Sequence, residues 1–138
     1  MRIGGVIVAD DRGLVGTSDA DVALHAVADA ILGAAALGDL GTHFPSNDAR
    51  WHGADSSVLL ERVVAMATEA QLAVDSVDVT VIAQTIRIAR HREAMRSRLA
   101  EILETPLDRV SVKATTTDGM GYLGRDEGIA AIAVVVLR

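Results

Sequence analysis

Asp21, His25 and Asp29 recur every four residues in a segment otherwise built from Ala, Leu and Val, residues 18–41. On a helix of about 3.6 residues per turn such groups drift slowly around the axis and share a face. A buried helix has no use for them. Either they start the helix and carry solvated charge, or they hold something in a cleft. A lone histidine on an Ala-rich helix is ordinarily packed and satisfied by one hydrogen bond, whereas zinc asks for three or four converging ligands. Asp29, one turn after His25, can orient the ring's other nitrogen or simply fix it by a structural contact. His43 and His52 read as exposed, and His91 falls in a helical context.

A second constellation lies in KATTTDGMGYLGRDEG, residues 113–128. Thr115, Thr116 and Thr117 offer hydroxyls, and Gly119, Gly121 and Gly124 free the backbone to turn its N–H groups toward one point, a phosphate cradle. Asp118 suits a hard cation that neutralises phosphate oxygens, and Arg125 suits a phosphate or a nearby carboxylate. Composition alone describes a threonine-bearing hairpin equally well. Residues 83–91, AQTIRIARH, sit where a strand feeds a helix, the end at which ligands bind in open α/β sheets. Arg87 there can meet a base or a phosphate, or be a plain basic helix start. Asp126 and Glu127 can serve as acid or base, or be engaged by arginine.

The elements that must position these groups follow from periodicity. Residues 3–8 predict a strand, and Ser18 an N-cap for a helix running to about residue 37, where Gly38 ends it. Ala23, Ala26, Ala30, Gly33 and Ala34 form a stripe of small residues on which another element can pack closely. Residues 39–53 read as a polar loop, residues 55–72 as a second helix, 77–83 as a strand, and 88–103 as a charged helix closed by Pro106. Residues 110–116 and 129–137 are two further strands. The last, nearly all apolar, is expected to be buried on both faces. The order β-α-α-β-α-β-β predicts an α/β (α+β) sandwich of helices on a mixed sheet, one domain over residues 1–138.

Of 138 residues half are hydrophobic and only 2% aromatic, so the core is built from small aliphatic side chains, with apolar area to spare for subunit contacts. The net charge of −6 disfavours nucleic acid and anionic membrane as partners. Cysteine is absent, which excludes disulfides and thiolate chemistry. Without an early apolar leader or a run of about 20 apolar residues, the expected location is cytoplasmic.

Taken together, SDADVALHAVADAILGAAALGDLGTHFP, HGADS, VDVTVIAQ and VKATTTDG…GRDEGIAAIAV resemble the 2-C-methyl-D-erythritol 2,4-cyclodiphosphate synthases of non-mevalonate isoprenoid biosynthesis, in the family's order across nearly the whole chain. The resemblance implies a homotrimer with an active site at each subunit interface. It implies a reaction in which the 2-phosphate of a CDP-activated methylerythritol attacks the β-phosphorus and expels CMP. Residue by residue, it makes His25 a zinc-type metal ligand, with Ser18 and Asp29 as companions. Asp39, Gly41 and Phe44 would line the methylerythritol pocket, Thr115 and Thr116 would contact phosphate, and Asp118, where the family usually has Glu, would hold magnesium or manganese. Ala83 and the residues after it, Arg87 among them, match the cytidine-binding stretch, and Arg125 an arginine near the subunit junction. Thr116 and Asp118 are the implied catalytic pair.

The likeness breaks at the N-terminus. Family members continue from MRIG into an Asp-x-His pair that supplies two further metal ligands, whereas here MRIG runs straight into GVIVADD. Thr17 replaces a histidine, Ser46 a pocket carboxylate, and Ile86-Arg87 the usual Pro-Lys. Two readings follow: a synthase in which Asp10 or Asp11 replaces the lost pair, or a homologue that keeps the trimeric scaffold and CMP binding without turnover.

Overall fold

The computed structural model describes residues 1–9 and 11–138. In chain order the elements are β1 (Arg2–Ile3), β2 (Val6–Ile7), α1 (Val22–Ala34), α2 (Leu40–His43), α3 (Ser56–Glu69), β3 (Val74–Ile82), α4 (Arg92–Leu103), β4 (Val110–Thr115), α5 (Gly121–Gly124) and β5 (Ala130–Leu137). Single 3₁₀ turns occupy Ala49–Trp51, Ile88–Arg90 and Leu107–Arg109.

The three-stranded sheet has the order β4-β3-β5, with β4 parallel and β5 antiparallel to β3. Alternation along β3 sends Val77, Val79 and Val81 to the helical side and Asp78 and Thr80 to the other. α1 lies against β5 and β3, α4 lies against β4, and α3 packs on α1 and α4. Leu24, Val27, Ile31, Leu60, Val63, Met95 and Leu99 meet the valines of β3 and β4 in one buried cluster. This is the mixed α+β sandwich that the sequence predicts.

Several expectations are corrected. Residues 3–8 are not one strand: Gly4 and Gly5 stand at φ of +62° and +75°, the handedness a two-residue hairpin turn requires, and β1 pairs back on β2. Ser18 is not the N-cap of α1. Asp21 is, its Oδ1 accepting from the N–H groups of Ala23 and Leu24 at 3.1 Å each. The periodic acid at position 21 is therefore a helix-start group rather than part of a binding face. α1 also ends three residues early: Ala36 takes φ +55°, and the Leu37 N–H returns to the Leu32 carbonyl at 2.8 Å. Its buried side is Ala23, Leu24, Val27, Ala28, Ile31 and Leu32, while Gly33 and Ala34 from the small-residue stripe are exposed.

The expected polar loop contains α2 and a 3₁₀ turn, and the charged helix splits into a 3₁₀ turn followed by α4. β5 is not buried on both faces: Ile132, Val134 and Val136 are 60%, 62% and 51% exposed. Their register partners on β3 are Thr80, Asp78 and Ser76, so the side of the sheet away from the helices is open, with an apolar edge. No helix among the described residues is long and apolar enough to cross a membrane.

Candidate functional site

His25 sits on the first turn of α1, where a loop crosses beneath it. The Gly53 N–H donates to the Thr17 carbonyl at 2.7 Å, and the Asp19 N–H to the Ala54 carbonyl at 3.0 Å. Those two bonds pin residues 17–19 to the approach of α3, whose N-cap is Asp55. The His25 Nε2 consequently lies 3.1 Å from Ser18 Oγ and 3.0 Å from Ser56 Oγ. Ser56 is buried and donates its hydroxyl hydrogen to Asp19 Oδ1. Ser18 Oγ also accepts from the Ala20 N–H at 3.3 Å.

Ser18 opens onto a pocket of about 470 Å³ that is lined by Thr17, Leu40, Gly41, Phe44, Ser46 and Trp51 among others. Phe44 and Trp51 meet edge-on, ring centroids 5.0 Å apart. Asp39 does not line this pocket. It caps α2, accepting from the N–H and the hydroxyl of Thr42 at 2.8 Å each, and those bonds hold its carboxyl below the usual carboxylate range. Asp29 accepts from the Leu40 N–H at 2.8 Å. Both acids thus shape the Leu40–Gly41 wall, and neither touches His25 by any hydrogen bond described.

The second group gathers at the ends of β3 and β4. The Ala83 N–H donates to the Thr115 carbonyl at 3.1 Å, which extends the parallel pairing and sets residues 83–87 beside the threonine loop. Asp118 takes φ +52°, its N–H meets Thr116 Oγ1, and that hydroxyl donates to Asp118 Oδ1, both at 3.2 Å. Thr117 donates to the Met120 carbonyl at 2.6 Å. Thr115, Thr116 and Asp118 are exposed. Arg87 is exposed at the start of its 3₁₀ turn, and Arg125 is committed to Glu127 at 2.7 Å. Asp126, read from sequence as an acid or base, accepts from Thr85 at 2.9 Å and from Arg12 at 2.9 Å. Those two bonds tie residues 83–91 to the N-terminal loop.

Of the residues singled out from the sequence, Ser18, Gly41 and Phe44 come together at one pocket and Ala83, Thr115, Thr116 and Asp118 at one sheet end. No hydrogen bond or ion pair among the described residues joins the two groups within the chain. The sequence reading missed Ser56 as a partner of His25 and Asp19 as the acceptor behind Ser56, although the motif Gly53-Ala54-Asp55-Ser56 was legible as a capped helix start. Trp51, which lines the pocket, was not singled out.

The metal expectation at His25 meets a different donor set. Two neutral hydroxyls flank Nε2, and among the described residues no three of His, Cys, Asp and Glu gather where a metal could bind. Asp11 is exposed, and Asp10, named as its alternative, lies outside the described residues. A zinc-type centre does not fit these groups. Asp118 is a different case, because a magnesium-class cation is regularly held by one carboxylate plus the substrate's own phosphates.

Comparison with known proteins gives one consistent result. The YgbB family matches residues 1–138. The whole chain is 55% identical to the 2-C-methyl-D-erythritol 2,4-cyclodiphosphate synthase of Salinibacter ruber, covering 88% of it. It is 50% identical to the protein of the same name from Bacillus cereus (strain B4264), covering 87%. Among solved structures, the bifunctional IspDF of Campylobacter jejuni superposes with a TM-score of 0.96 at 37% identity, over 99% of this chain and 37% of that one. A 2C-methyl-D-erythritol-2,4-cyclodiphosphate synthase in a CDP-bound form superposes at 0.91 and 28% identity, over 100% of this chain and 89% of that one.

Proposed function

Because the chain belongs to the YgbB family, we propose that it is a 2-C-methyl-D-erythritol 2,4-cyclodiphosphate synthase, a lyase of isoprenoid biosynthesis. The observation that carries this reading is the 55% identity, sustained over all 138 residues, to a protein of that name. The substrate is CDP-methylerythritol 2-phosphate. An oxygen of the 2-phosphate bonds to the β-phosphorus, the β-phosphorus bond to the bridging oxygen breaks, and CMP leaves with that oxygen.

The groups on this chain divide the work by position. The Ser18, Gly41 and Phe44 pocket holds the methylerythritol carbons against an apolar wall, while Asp39 and Asp29 fix that wall from behind. Thr115 and Thr116, exposed at the sheet end, turn their hydroxyl hydrogens from the Thr116 carbonyl and Asp118 to phosphate oxygens when substrate binds, and residues 83–87, Ala83 and Arg87 among them, receive the cytidine end. No covalent intermediate is needed, so catalysis consists of in-line placement and neutralisation of phosphate charge. Asp118 and Thr116 suit magnesium or manganese brought in on the substrate phosphates, and such a cation supplies charge neutralisation when bound. Arg125 lies near the subunit junction.

The site is completed between subunits of a homotrimer, as the family likeness implies, with the pocket on one subunit facing the threonine loop of another. The exposed Ile132, Val134 and Val136 are the apolar surface available for that assembly. The setting is the cytoplasm, in keeping with a small-molecule biosynthetic role. The test is CMP release from CDP-methylerythritol 2-phosphate with magnesium supplied. Stoichiometric CMP together with the cyclic diphosphate supports the reading, and a rate equal to that without protein sinks it.

A further inference from the structure

The geometry points to His25 as a hydrogen-bond donor that positions Ser18, and not as a metal ligand. The argument is a count of protons along one chain of groups. Ser56 has a single hydroxyl hydrogen, and it goes to Asp19 Oδ1. Ser56 Oγ can therefore only accept from His25 Nε2, 3.0 Å away. An unprotonated Nε2 would set two lone pairs against each other at that distance. Nε2 consequently carries the hydrogen and has no lone pair for zinc, and at the bare Nδ1 no set of three His, Cys, Asp or Glu gathers among the described residues to hold a metal.

The same count fixes Ser18. Its oxygen accepts from the Ala20 N–H at 3.3 Å and faces the His25 N–H at 3.1 Å. Its own hydrogen is left to donate into the pocket that it lines with Phe44 and Trp51. The order Asp19, Ser56, His25, Ser18 runs from a carboxylate to a hydroxyl aimed at ligand. Each member orients the next, and the ligand group matched to its end is an oxygen acceptor, a hydroxyl or phosphoryl oxygen.

The N-terminus agrees. At the point where relatives of this sequence type carry metal-binding residues, between Gly4 and Gly5, this chain closes a two-residue turn. Both turn N–H groups are taken by Asp21, Gly4 to Oδ1 at 2.8 Å and Gly5 to Oδ2 at 2.7 Å. A buried carboxylate thus seals the turn to the start of α1.

The experiment uses the full chain and two readouts that do not depend on turnover. Nitrogen-15 spectra of histidine-labelled protein at neutral pH are expected to show His25 with its hydrogen on Nε2, the assignment made by loss of the signal in His25→Ala. Asp19→Ala removes the acceptor of the Ser56 hydrogen, which frees it for the ring, and is expected to move the His25 hydrogen to Nδ1. Its circular dichroism melt is expected to keep the parent's shape. Protein incubated with zinc and desalted is expected to retain no zinc that His25→Ala loses. Stoichiometric zinc abolished by His25→Ala, an unprotonated Nε2 in the zinc-free chain, or no tautomer change in a folded Asp19→Ala protein would each overturn the proposal. Failure of the CMP assay alone leaves these results standing and bears only on the proposed activity.

Discussion

Replacing Asp21 by alanine removes the acceptor of four backbone N–H groups, those of Gly4, Gly5, Ala23 and Leu24. Loss of the helix cap alone costs about 1 kcal/mol. The Gly4 N–H is buried and that of Gly5 partly so, and a buried donor left without a partner costs about 1 to 3 kcal/mol. Part of this is offset, because Asp21 is itself fully buried and its charge is poorly solvated there. The net expectation for Asp21→Ala is a loss of about 3 kcal/mol. Asp21→Asn keeps one oxygen for Gly4, Ala23 and Leu24 but turns an amide NH₂ toward the Gly5 N–H, so about half that loss is expected.

Urea denaturation at fixed protomer concentration measures both, with an unchanged m-value as the sign that only stability moved. For a slope of about 2 kcal/mol per molar, Asp21→Ala lowers the midpoint by about 1.5 M. The pH dependence is a second check. Desolvation raises the folded-state pKa of Asp21 above its ordinary 3.8, and the backbone N–H bonds only partly oppose it. A folded state that holds its proton more tightly than the unfolded one is favoured as pH falls. The contribution of this ionisation to stability is therefore fully present below 3.8 and is lost as pH rises through the folded value. The gap between parent and Asp21→Asn should widen from neutral pH toward pH 4. A loss under about 0.5 kcal/mol for Asp21→Ala would refute the account of the turn as sealed by this carboxylate, while a gap that narrows on acidification would show that the N–H bonds outweigh desolvation of the charge.

Gly5→Ala is expected to cost about 1 to 2 kcal/mol in the same titration, because φ is +75° and the added Cβ would meet Arg98 Cγ at 2.7 Å. Asp118→Asn is expected to lower kcat of CMP release by about a hundredfold at limiting magnesium, with partial recovery as magnesium rises and no change in melting temperature, since this carboxylate is exposed. Val134→Lys, at a position 62% exposed, is expected to leave the circular dichroism spectrum unchanged and convert the proposed trimer to monomer in light scattering. A variant that stays trimeric would show that β5 is not the assembly surface.

What could be read ahead of the structure divides along a physical line. Periods of two and of three to four residues located β3, β4, β5, α1, α3 and the body of α4, because a buried face writes itself into the chain as apolar repetition. Boundaries were less legible, since capping depends on which acid finds free N–H groups. Ser18, Asp19 and Asp21 are all competent caps by type, and Asp21 alone also reaches the Gly4–Gly5 turn, 17 and 16 residues away in sequence. The apolar run at 129–137 misled for a related reason. Hydrophobicity reports that a strand is to be covered, not whether its own chain covers it, and the outward side of β5 waits for another surface.

The same distinction governs the site. Thr115, Thr116 and Asp118 could be placed from sequence because adjacent residues at a strand end stay adjacent in space. The environment of His25 could not, because it is made by Ser18 seven residues before it and Ser56 thirty-one after it, joined through a loop pairing that no periodicity announces. A histidine's chemistry lies in what its nitrogens face. Family likeness alone makes this imidazole a ligand, while two hydroxyls and the carboxylate of Asp19 make it a donor. The carboxylate settles the nitrogen that faces Ser56, because it takes the Ser56 hydrogen, and the want of three converging ligands among the described residues tells against a metal on the other.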